Sequence, residues 1–272
     1  MADLEPALRR LIEASGASCV AVVAGPLGGA RTVRIEPDSW FHAASTMKVA
    51  VLLELYRRAW AGAVSLDEPL PVRNAFRSIA DGFGYVLRPA DDSELNLYLR
   101  EGETVTLREL AFRMITVSSN LATNLLVDRL GGGAAIAATL DSLGIKGVSV
   151  LRGVEDDVAS EQGLNNTTTA AGLADLLERI ALHTAAPPEA CEAMLEMLCA
   201  QAFNEGVPTG LPAGTRVAHK TGSITSLYHD AAIVYPTAGE PYLLVVLTQG
   251  LDERGAAPAL VASISSVVAD SR

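Results

Sequence analysis

A serine and a lysine stand three positions apart, as Ser45 and Lys48, just where an apolar helical pattern begins. Positions i and i+3 of a helix lie on one face, so the lysine amine is expected to reach the serine hydroxyl. Serine is a weak nucleophile at neutral pH and needs a neighbouring base. A lysine becomes such a base when burial or nearby cations lower its pKa. The pair therefore suggests nucleophilic catalysis by Ser45.

Lysine is scarce in this chain, which makes the pair more significant. Lys48, Lys146 and Lys220 are the three lysines among 21 basic residues, and the other 18 are arginines. Taken alone, Ser-x-x-Lys is common as an N-cap serine followed by a solvated lysine. Arginine, however, cannot be deprotonated to act as a base. A chain that uses arginine almost everywhere else therefore favours a chemical role for Lys48.

Ser118, Ser119 and Asn120 form a second polar cluster, at a break between two helical patterns. Capping of a helix would explain such a triplet without any chemistry. The chemical alternative is a second hydroxyl that relays a proton, together with a side-chain amide that holds a substrate carbonyl.

A third polar cluster ends a predicted strand and runs from Lys220 to Ser223. Its lysine and hydroxyl groups could receive a carboxylate, and Gly222 would let a ligand backbone approach closely. A polar edge strand is the alternative. His219 would point to the opposite face of the strand and is expected to be structural.

The periodicity around these clusters predicts an α+β fold. Apolar repeats predict helices over residues 4–15, 45–60, 107–115, 121–130, 134–143, 168–182, 189–203 and 257–268. Strands are predicted over residues 18–24, 31–35, 216–221, 231–235 and 242–248. Loops and short helices are expected over 66–102, and a surface loop over 148–161. One antiparallel sheet covered by the terminal helices follows, with an all-helical block inserted between its strands. We expect a sheet domain of residues 1–42 and 205–272 and a helical domain of residues 43–204.

The composition limits the classes of partner. The net charge is −11 without a basic cluster, which argues against nucleic acid and anionic membrane surfaces. The longest apolar runs are strand-sized, so a compact soluble protein is expected. The N-terminus lacks the pattern of a signal peptide, which predicts a cytoplasmic protein, or a periplasmic or secreted one if a leader was removed.

The cysteines and histidines suggest neither disulfides nor metal binding. Cys191 and Cys199 lie eight positions apart on one predicted helix, about 12 Å, which is too far to bridge, so free thiols are expected for them and for Cys19. The four histidines show no metal-ligand spacing. We therefore expect no metal and no cofactor.

The three polar clusters, taken in order, resemble the active-site motifs of the penicillin-recognising serine enzymes, particularly class A β-lactamases. The resemblance covers nearly the whole chain, and two of the three lysines fall in its two lysine motifs. It implies a β-lactamase/transpeptidase-like fold, a small β-lactam or related acyl substrate, and hydrolysis through an acyl-enzyme.

The resemblance also implies roles for single residues. Ser45 would attack the lactam carbonyl, with Lys48 as its neighbour and candidate base. Ser118 would pass a proton to the departing nitrogen, and Asn120 would hold the side-chain amide of the substrate. The backbone N–H groups of Ser45 and Ser223 would form the oxyanion hole. The substrate-binding residues of the strand would be Lys220, Thr221, Gly222 and Ser223.

The chain departs from the family pattern in the loop that activates the deacylating water. Glu155 lies three residues after Arg152 instead of two, and Asn166 stands where the family has an aspartate that pairs with the arginine. Asp156 and Asp157 compete with Glu155 for the catalytic role, and a merely solvated acidic loop is the alternative. Ser119 replaces another aspartate of the family, and the longer segment around residues 76–98 could reshape the pocket mouth.

Three functions are consistent with these patterns. The first is a class A-like β-lactamase. The second is an esterase, amidase or D-Ala-type peptidase on the same scaffold. The third is a penicillin-binding protein that acylates and deacylates slowly, which the displaced Glu155 would favour.

Overall fold

A computed structural model describes residues 4–272 of the chain. Its α-helices within this range are Leu4–Ser15 (α1), Lys48–Trp60 (α2), Leu107–Thr116 (α3), Asn120–Arg129 (α4), Gly132–Ser142 (α5), Asp157–Glu161 (α6), Ala170–Ala181 (α7), Pro188–Cys199 (α8) and Ala256–Asp270 (α9). Its strands are Cys19–Pro26 (β1), Val33–Ile35 (β2), Phe41–His42 (β3), Pro69–Pro71 (β4), Phe76–Arg77 (β5), Gly84–Tyr85 (β6), Thr104–Thr106 (β7), Val148–Ser149 (β8), Thr167–Thr168 (β9), Arg216–Ile224 (β10), Leu227–Tyr235 (β11) and Tyr242–Gln249 (β12).

The main sheet has five strands in the order β10-β11-β12-β1-β2, and neighbouring strands are antiparallel. The N-terminal strands therefore lie beside the C-terminal ones, although nearly two hundred residues separate them in the chain. This arrangement confirms the predicted α+β fold with an antiparallel main sheet. The expectation of one sheet and an all-helical inserted block was wrong in detail, because short strands between the helices form three small sheets, β3-β9-β8, β4-β7 and β5-β6. β10 forms one edge of the sheet, which leaves the strand that carries Lys220 open on one side.

Alternate residues of the sheet enter two separate apolar clusters, as the two-residue repeat of a strand requires. Val23, Ala218 and Val245 belong to a cluster shared with the helices of the chain's middle part. Val22, Val217 and Val246 face the other way, into a cluster with the two terminal helices. Because the first cluster contains both sheet and helical residues, the division at residues 42/43 and 204/205 stays a prediction.

Most predicted elements are present, with shifted ends. The helix predicted from residue 168 begins at Ala170, because Thr168 belongs to β9 and the Thr169 hydroxyl accepts the N–H of Gly172 as the N-cap. The helix predicted to residue 203 ends at Cys199. The predicted loop 148–161 contains a short strand and the five-residue α6. The three cysteines are free.

Ser45 lies in a 3-10 turn, Ala44–Met47, that continues directly into α2. The turn follows β3, which pairs with β9 through Phe41 and Thr168. The next helix is buried along most of its length, from Lys48 to Tyr56. The nucleophile candidate is therefore held at the start of the central helix. Within residues 4–272, none of the helices has both the length and the apolar character that crossing a bilayer requires.

Candidate active site

A cleft of about 1090 Å³ opens between the edge strand β10 and the helical part of the molecule. It contains side chains from all three polar clusters and from the acidic loop. Those predicted from the sequence are Ser45, Ser118, Asn120, Glu155, Thr221 and Ser223. The structure thus brings together groups that lie up to 178 residues apart in the chain.

Lys48 is completely buried, and its ammonium group donates to three oxygen atoms. These are the backbone oxygen of Ser118 at 2.7 Å, the hydroxyl of Ser118 at 3.2 Å and Oδ1 of Asn120 at 2.9 Å. Burial lowers the pKa of Lys48 to about 7, although the carboxylates of Asp92 and Glu155 oppose this shift. At neutral pH a large share of Lys48 is therefore the free amine that a base must be.

The Ser118 hydroxyl lies between the two buried lysines of the site. Nζ of Lys220 is 3.1 Å from this hydroxyl and 2.9 Å from the backbone oxygen of Thr221. Burial and the neighbouring Lys48 both lower the pKa of Lys220. Ser118 holds this position with a φ of 56°, a left-handed conformation that is costly for a non-glycine residue.

Asn120 connects the lysine to the acidic loop. Its Oδ1 accepts from Lys48, as described above, while its Nδ2 donates to Oε1 of Glu155 at 2.5 Å. Burial raises the pKa of Glu155, and the hydrogen bond from Asn120 works against that rise. Glu155 also has a positive φ, 57°. The displaced glutamate therefore enters the cleft because its backbone takes a left-handed turn.

The family profile described as "Beta-lactamase enzyme family" matches residues 3–271 of this chain. The chain belongs to the β-lactamase enzyme family. A β-lactamase of Nocardia asteroides is 31% identical over 98% of this chain and 83% of its own length. The structure of an ancestral class A β-lactamase superposes with a TM-score of 0.85 at 26% identity, covering 99% of this chain and all of that one. A β-lactamase structure from Sphaerobacter thermophilus covers 99% of this chain and 97% of its own, with a TM-score of 0.81 and 26% identity.

These similarities confirm the function predicted first from the sequence, that of a serine β-lactamase acting on β-lactam substrates. They do not favour the esterase, peptidase or slowly deacylating alternatives. The chain's departures from the family pattern are therefore variations within a serine β-lactamase.

The acidic loop of this β-lactamase is closed without an arginine–aspartate pair. The amide of Asn166 accepts the N–H groups of Leu151 and Arg152 through Oδ1, at 2.8 and 3.1 Å, and donates to the Arg152 carbonyl at 3.0 Å. The Arg152 guanidinium turns elsewhere, to the Leu164 carbonyl and the Asn165 side chain, each at 2.8 Å. Asparagine fits here because it donates and accepts at once, which a carboxylate cannot do.

The two aspartates that follow Glu155 make contacts of a different kind. Asp156 is buried, and its two oxygens accept the N–H groups of Ala159 and Ile79. Asp157 is exposed, with 69% of its side-chain surface accessible, near Arg88. The acidic loop is thus not uniformly solvated, and of its three carboxylates Glu155 is the one hydrogen-bonded to Asn120.

The sequence reasoning missed two residues that hold the loop beside Glu155. Asn124 accepts the N–H of Val154 at 2.6 Å and donates to its carbonyl at 3.0 Å. A side chain at Gly153 would come within 2.4 Å of the Asn124 amide oxygen, so glycine is required there. Asn124 sits one helical turn after Asn120, and this i+4 spacing was the available signal.

The missing family aspartate at Ser119 is compensated from the long segment between Lys48 and Ser118. Ser119 is an N-cap, whose hydroxyl accepts the N–H of Ala122. The buried Asp92 supplies the carboxylate: its Oδ2 accepts the N–H groups of Asn120 at 2.9 Å and Leu121 at 3.0 Å. A negative charge at the N-terminus of a helix is favourable. Asp92, from segment 76–98, therefore stabilises the N-terminus of α4, where Asn120 lies.

Gly222 lies directly against the turn that carries Ser45. A Cβ atom at this position would stand 3.0 Å from the backbone nitrogen of Ser45 and 3.1 Å from side-chain carbons of Ala44 and Thr46. The glycine thus lets β10 lie against the turn that carries Ser45. That Gly222 also admits a ligand backbone stays a prediction.

Replacement of Gly222 by alanine should push the Ser45 turn away from β10. Displacing a reacting group by a fraction of an ångström to 1 Å lowers rates by about tenfold to a hundredfold, so acylation of Gly222→Ala should slow by at least about tenfold. Stopped-flow measurement with a chromogenic cephalosporin tests this. Gly84→Ala is the matched control, since its Cβ would meet only the Phe76 oxygen at an ordinary 3.7 Å. Equal acylation rates for the two variants would contradict this assignment.

Replacement of Asp92 by alanine should destabilise the protein, because two N–H groups at the start of α4 lose their acceptor. The expected loss in the free energy of unfolding is about 2 kcal/mol, read from urea denaturation. Asp91→Ala is the control: Asp91 is exposed and contacts Arg88, so its removal should leave the midpoint within error. Similar midpoints for both variants would show that Asp92 does not support α4.

Proposed function

We propose that Ser45 is the nucleophile of this β-lactamase and that Lys48 in its neutral form is the base that activates it. One observation carries the proposal: the Ser118 hydroxyl lies within 3.2 Å of the Nζ atoms of both Lys48 and Lys220. A single hydroxyl in contact with two desolvated amines can receive a proton from one side while giving one up on the other.

Acylation joins Ser45 to the lactam and moves protons through Lys48 and Ser118. Ser45 Oγ bonds to the lactam carbonyl carbon, and its proton passes to the Lys48 amine. The C–N bond of the ring breaks, and the ring nitrogen takes the hydroxyl proton of Ser118. Ser118 recovers a proton from the Lys48 ammonium, to which it is hydrogen-bonded. The N–H groups of Ser45 and Ser223 would stabilise the oxyanion, and losing such a donor typically costs about 10²–10³ in rate.

The substrate carboxylate would bind at the end of β10. The Lys220 side chain is buried and its Nζ contacts the Ser118 hydroxyl, while Thr221 and Ser223 line the cleft. A carboxylate arriving there raises the pKa of Lys220 by its charge and so favours the ammonium form. Asn120, already bonded to Lys48 and Glu155, would present its remaining amide hydrogen to the substrate.

Glu155 would activate the water that frees Ser45. Its carboxylate is the one of the acidic loop that reaches Asn120, and its raised pKa makes it a stronger base than a solvated carboxylate. Water gives its proton to Glu155 and its oxygen to the acyl carbon, and the ester bond to Ser45 breaks. Ser45 then takes back the proton that Glu155 received, which restores the hydroxyl and the carboxylate.

Replacement of Glu155 by glutamine should separate the two half-reactions. With a chromogenic cephalosporin, Glu155→Gln should give a stoichiometric mass adduct and turn over at least about a hundredfold more slowly than the unaltered protein. Asp157→Asn, in the same loop, should turn over normally. Intact mass spectrometry alongside absorbance measures both quantities. Normal turnover by Glu155→Gln would exclude Glu155, and an adduct formed by Ser45→Ala would exclude Ser45.

The pH dependence of acylation tests the role of Lys48. Because the neutral amine is the active form, the single-turnover rate should rise with pH and level off above a pKa of about 7. The Glu155 carboxylate raises that pKa, so Glu155→Gln should move the midpoint to lower pH. Rapid mixing between pH 5 and pH 9 measures both midpoints. A collapse of acylation in Glu155→Gln would instead make Glu155 the acylation base.

A further inference from the structure

The residue three positions before the nucleophile, His42, is bonded to the backbone of the nucleophile turn. Its Nδ1 accepts the N–H of Ala44 at 3.0 Å. Ala44 has a φ of 45°, a left-handed conformation that costs free energy in a residue with a Cβ. The imidazole bond compensates for that cost at the residue directly before Ser45.

The opposite side of His42 is held by a second histidine. Nε2 of the fully buried His229 lies 3.0 Å from the His42 carbonyl, while Nδ1 lies 2.9 Å from the Tyr228 carbonyl and 3.2 Å from the Thr248 nitrogen. A carbonyl oxygen can only accept, so the hydrogen bond to the His42 carbonyl requires the proton on His229 Nε2. Burial lowers the pKa of His229 to about 4, which keeps this ring neutral.

We propose that neutral His42 is a positioning residue for the nucleophile, and that its protonation releases the turn that carries Ser45. The Ala44 N–H requires a lone pair on Nδ1, so neutral His42 carries its proton on Nε2. A protonated imidazole has a hydrogen on both nitrogens and no acceptor. Acid would thus convert a bond that steadies the left-handed Ala44 into a contact between two donors.

The surroundings of His42 oppose its protonation. Burial, followed by the cationic Arg152 of the acidic loop, lowers the pKa of His42, while His229 from β11 stays neutral. The acidic groups that line the same cleft are Glu155, Asp156 and Asp157 in the loop, Asp91 and Asp92 in segment 76–98, and Glu205 and Glu253 near the sheet. His42 is therefore expected to stay neutral until the pH falls below the ordinary histidine range.

Two variants of His42 separate positioning from mere packing. Asparagine can accept the N–H two residues ahead with its side-chain oxygen, in an Asx-turn, and does not titrate. Alanine offers no acceptor. At pH 8, His42→Ala should be acylated at least about tenfold more slowly than the unaltered protein, and His42→Asn should recover to within about threefold. Stopped-flow acylation measures these rates, and circular dichroism verifies that each variant is folded.

The effect of protonating His42 is measured by comparing the unaltered protein with His42→Asn over a series of pH values. The ratio of acylation rates, unaltered protein over His42→Asn, cancels the titrations of Lys48 and Glu155, which both proteins share. This ratio should be constant from pH 8 to pH 6.5 and then fall as His42 protonates, with the same midpoint as the His42 ring signal in NMR. His183→Asn is the matched control, because His183 lies on the surface against Glu192 and its φ of 57° suits asparagine.

The outcomes distinguish this inference from the proposed function on which it rests. A constant ratio through the NMR titration of His42, or equal rates for His42→Ala and His42→Asn, would overturn the positioning role. Neither result would affect Ser45 as nucleophile. An acyl adduct on Ser45→Ala would overturn the nucleophile itself, independently of His42.

Discussion

The ammonium group of Lys48, removed completely from water, is the constraint on which the rest of the site depends. A buried amine is tolerated only where oxygen atoms surround it, and here Ser118 and Asn120 supply all three. To do so, Ser118 adopts a left-handed backbone conformation and Asn120 begins a helix whose first N–H groups bind Asp92. The left-handed Ser118 and the buried Asp92 thus accompany a desolvated lysine, whose pKa is lowered by burial.

In the proposed mechanism the same network links the two halves of the catalytic cycle. Asn120 accepts from Lys48 through Oδ1 and donates to Glu155 through Nδ2. The groups proposed for acylation and for deacylation therefore share one side chain as a hydrogen-bond partner. The loop that carries Glu155 does not rely on an ion pair. Asn166 and Asn124 hold it through hydrogen bonds to backbone groups of Arg152 and Val154, just before the glutamate, and such bonds depend on geometry more than on charge. The different spacing of Glu155 is thus accompanied by different hydrogen bonds that hold its loop.

The periodic elements could be predicted because burial imposes a repeat on the residues themselves. The long helices and the central strands follow such repeats, whereas the short strands β3 to β9 have two or three residues each and too few positions to show one. Asp92 was missed for a similar reason. It lies in a segment of prolines, glycines and acids, and nothing in its neighbours' identities indicates that it is buried beneath a helix 28 residues further along the chain. His42 was likewise seen only as an isolated histidine.

The sequence by itself determined which groups can do chemistry: a serine, a scarce lysine and a second lysine motif, in the order typical of one enzyme family. Those are properties of residue type and spacing, which do not change on folding. Only the tertiary structure decided which acid of the loop bonds to Asn120, which turn Gly222 makes room for, and that two histidines bond to the segment that carries Ser45. Each of these depends on a contact between segments far apart in the chain, and on the direction of a hydrogen bond, which no local pattern records.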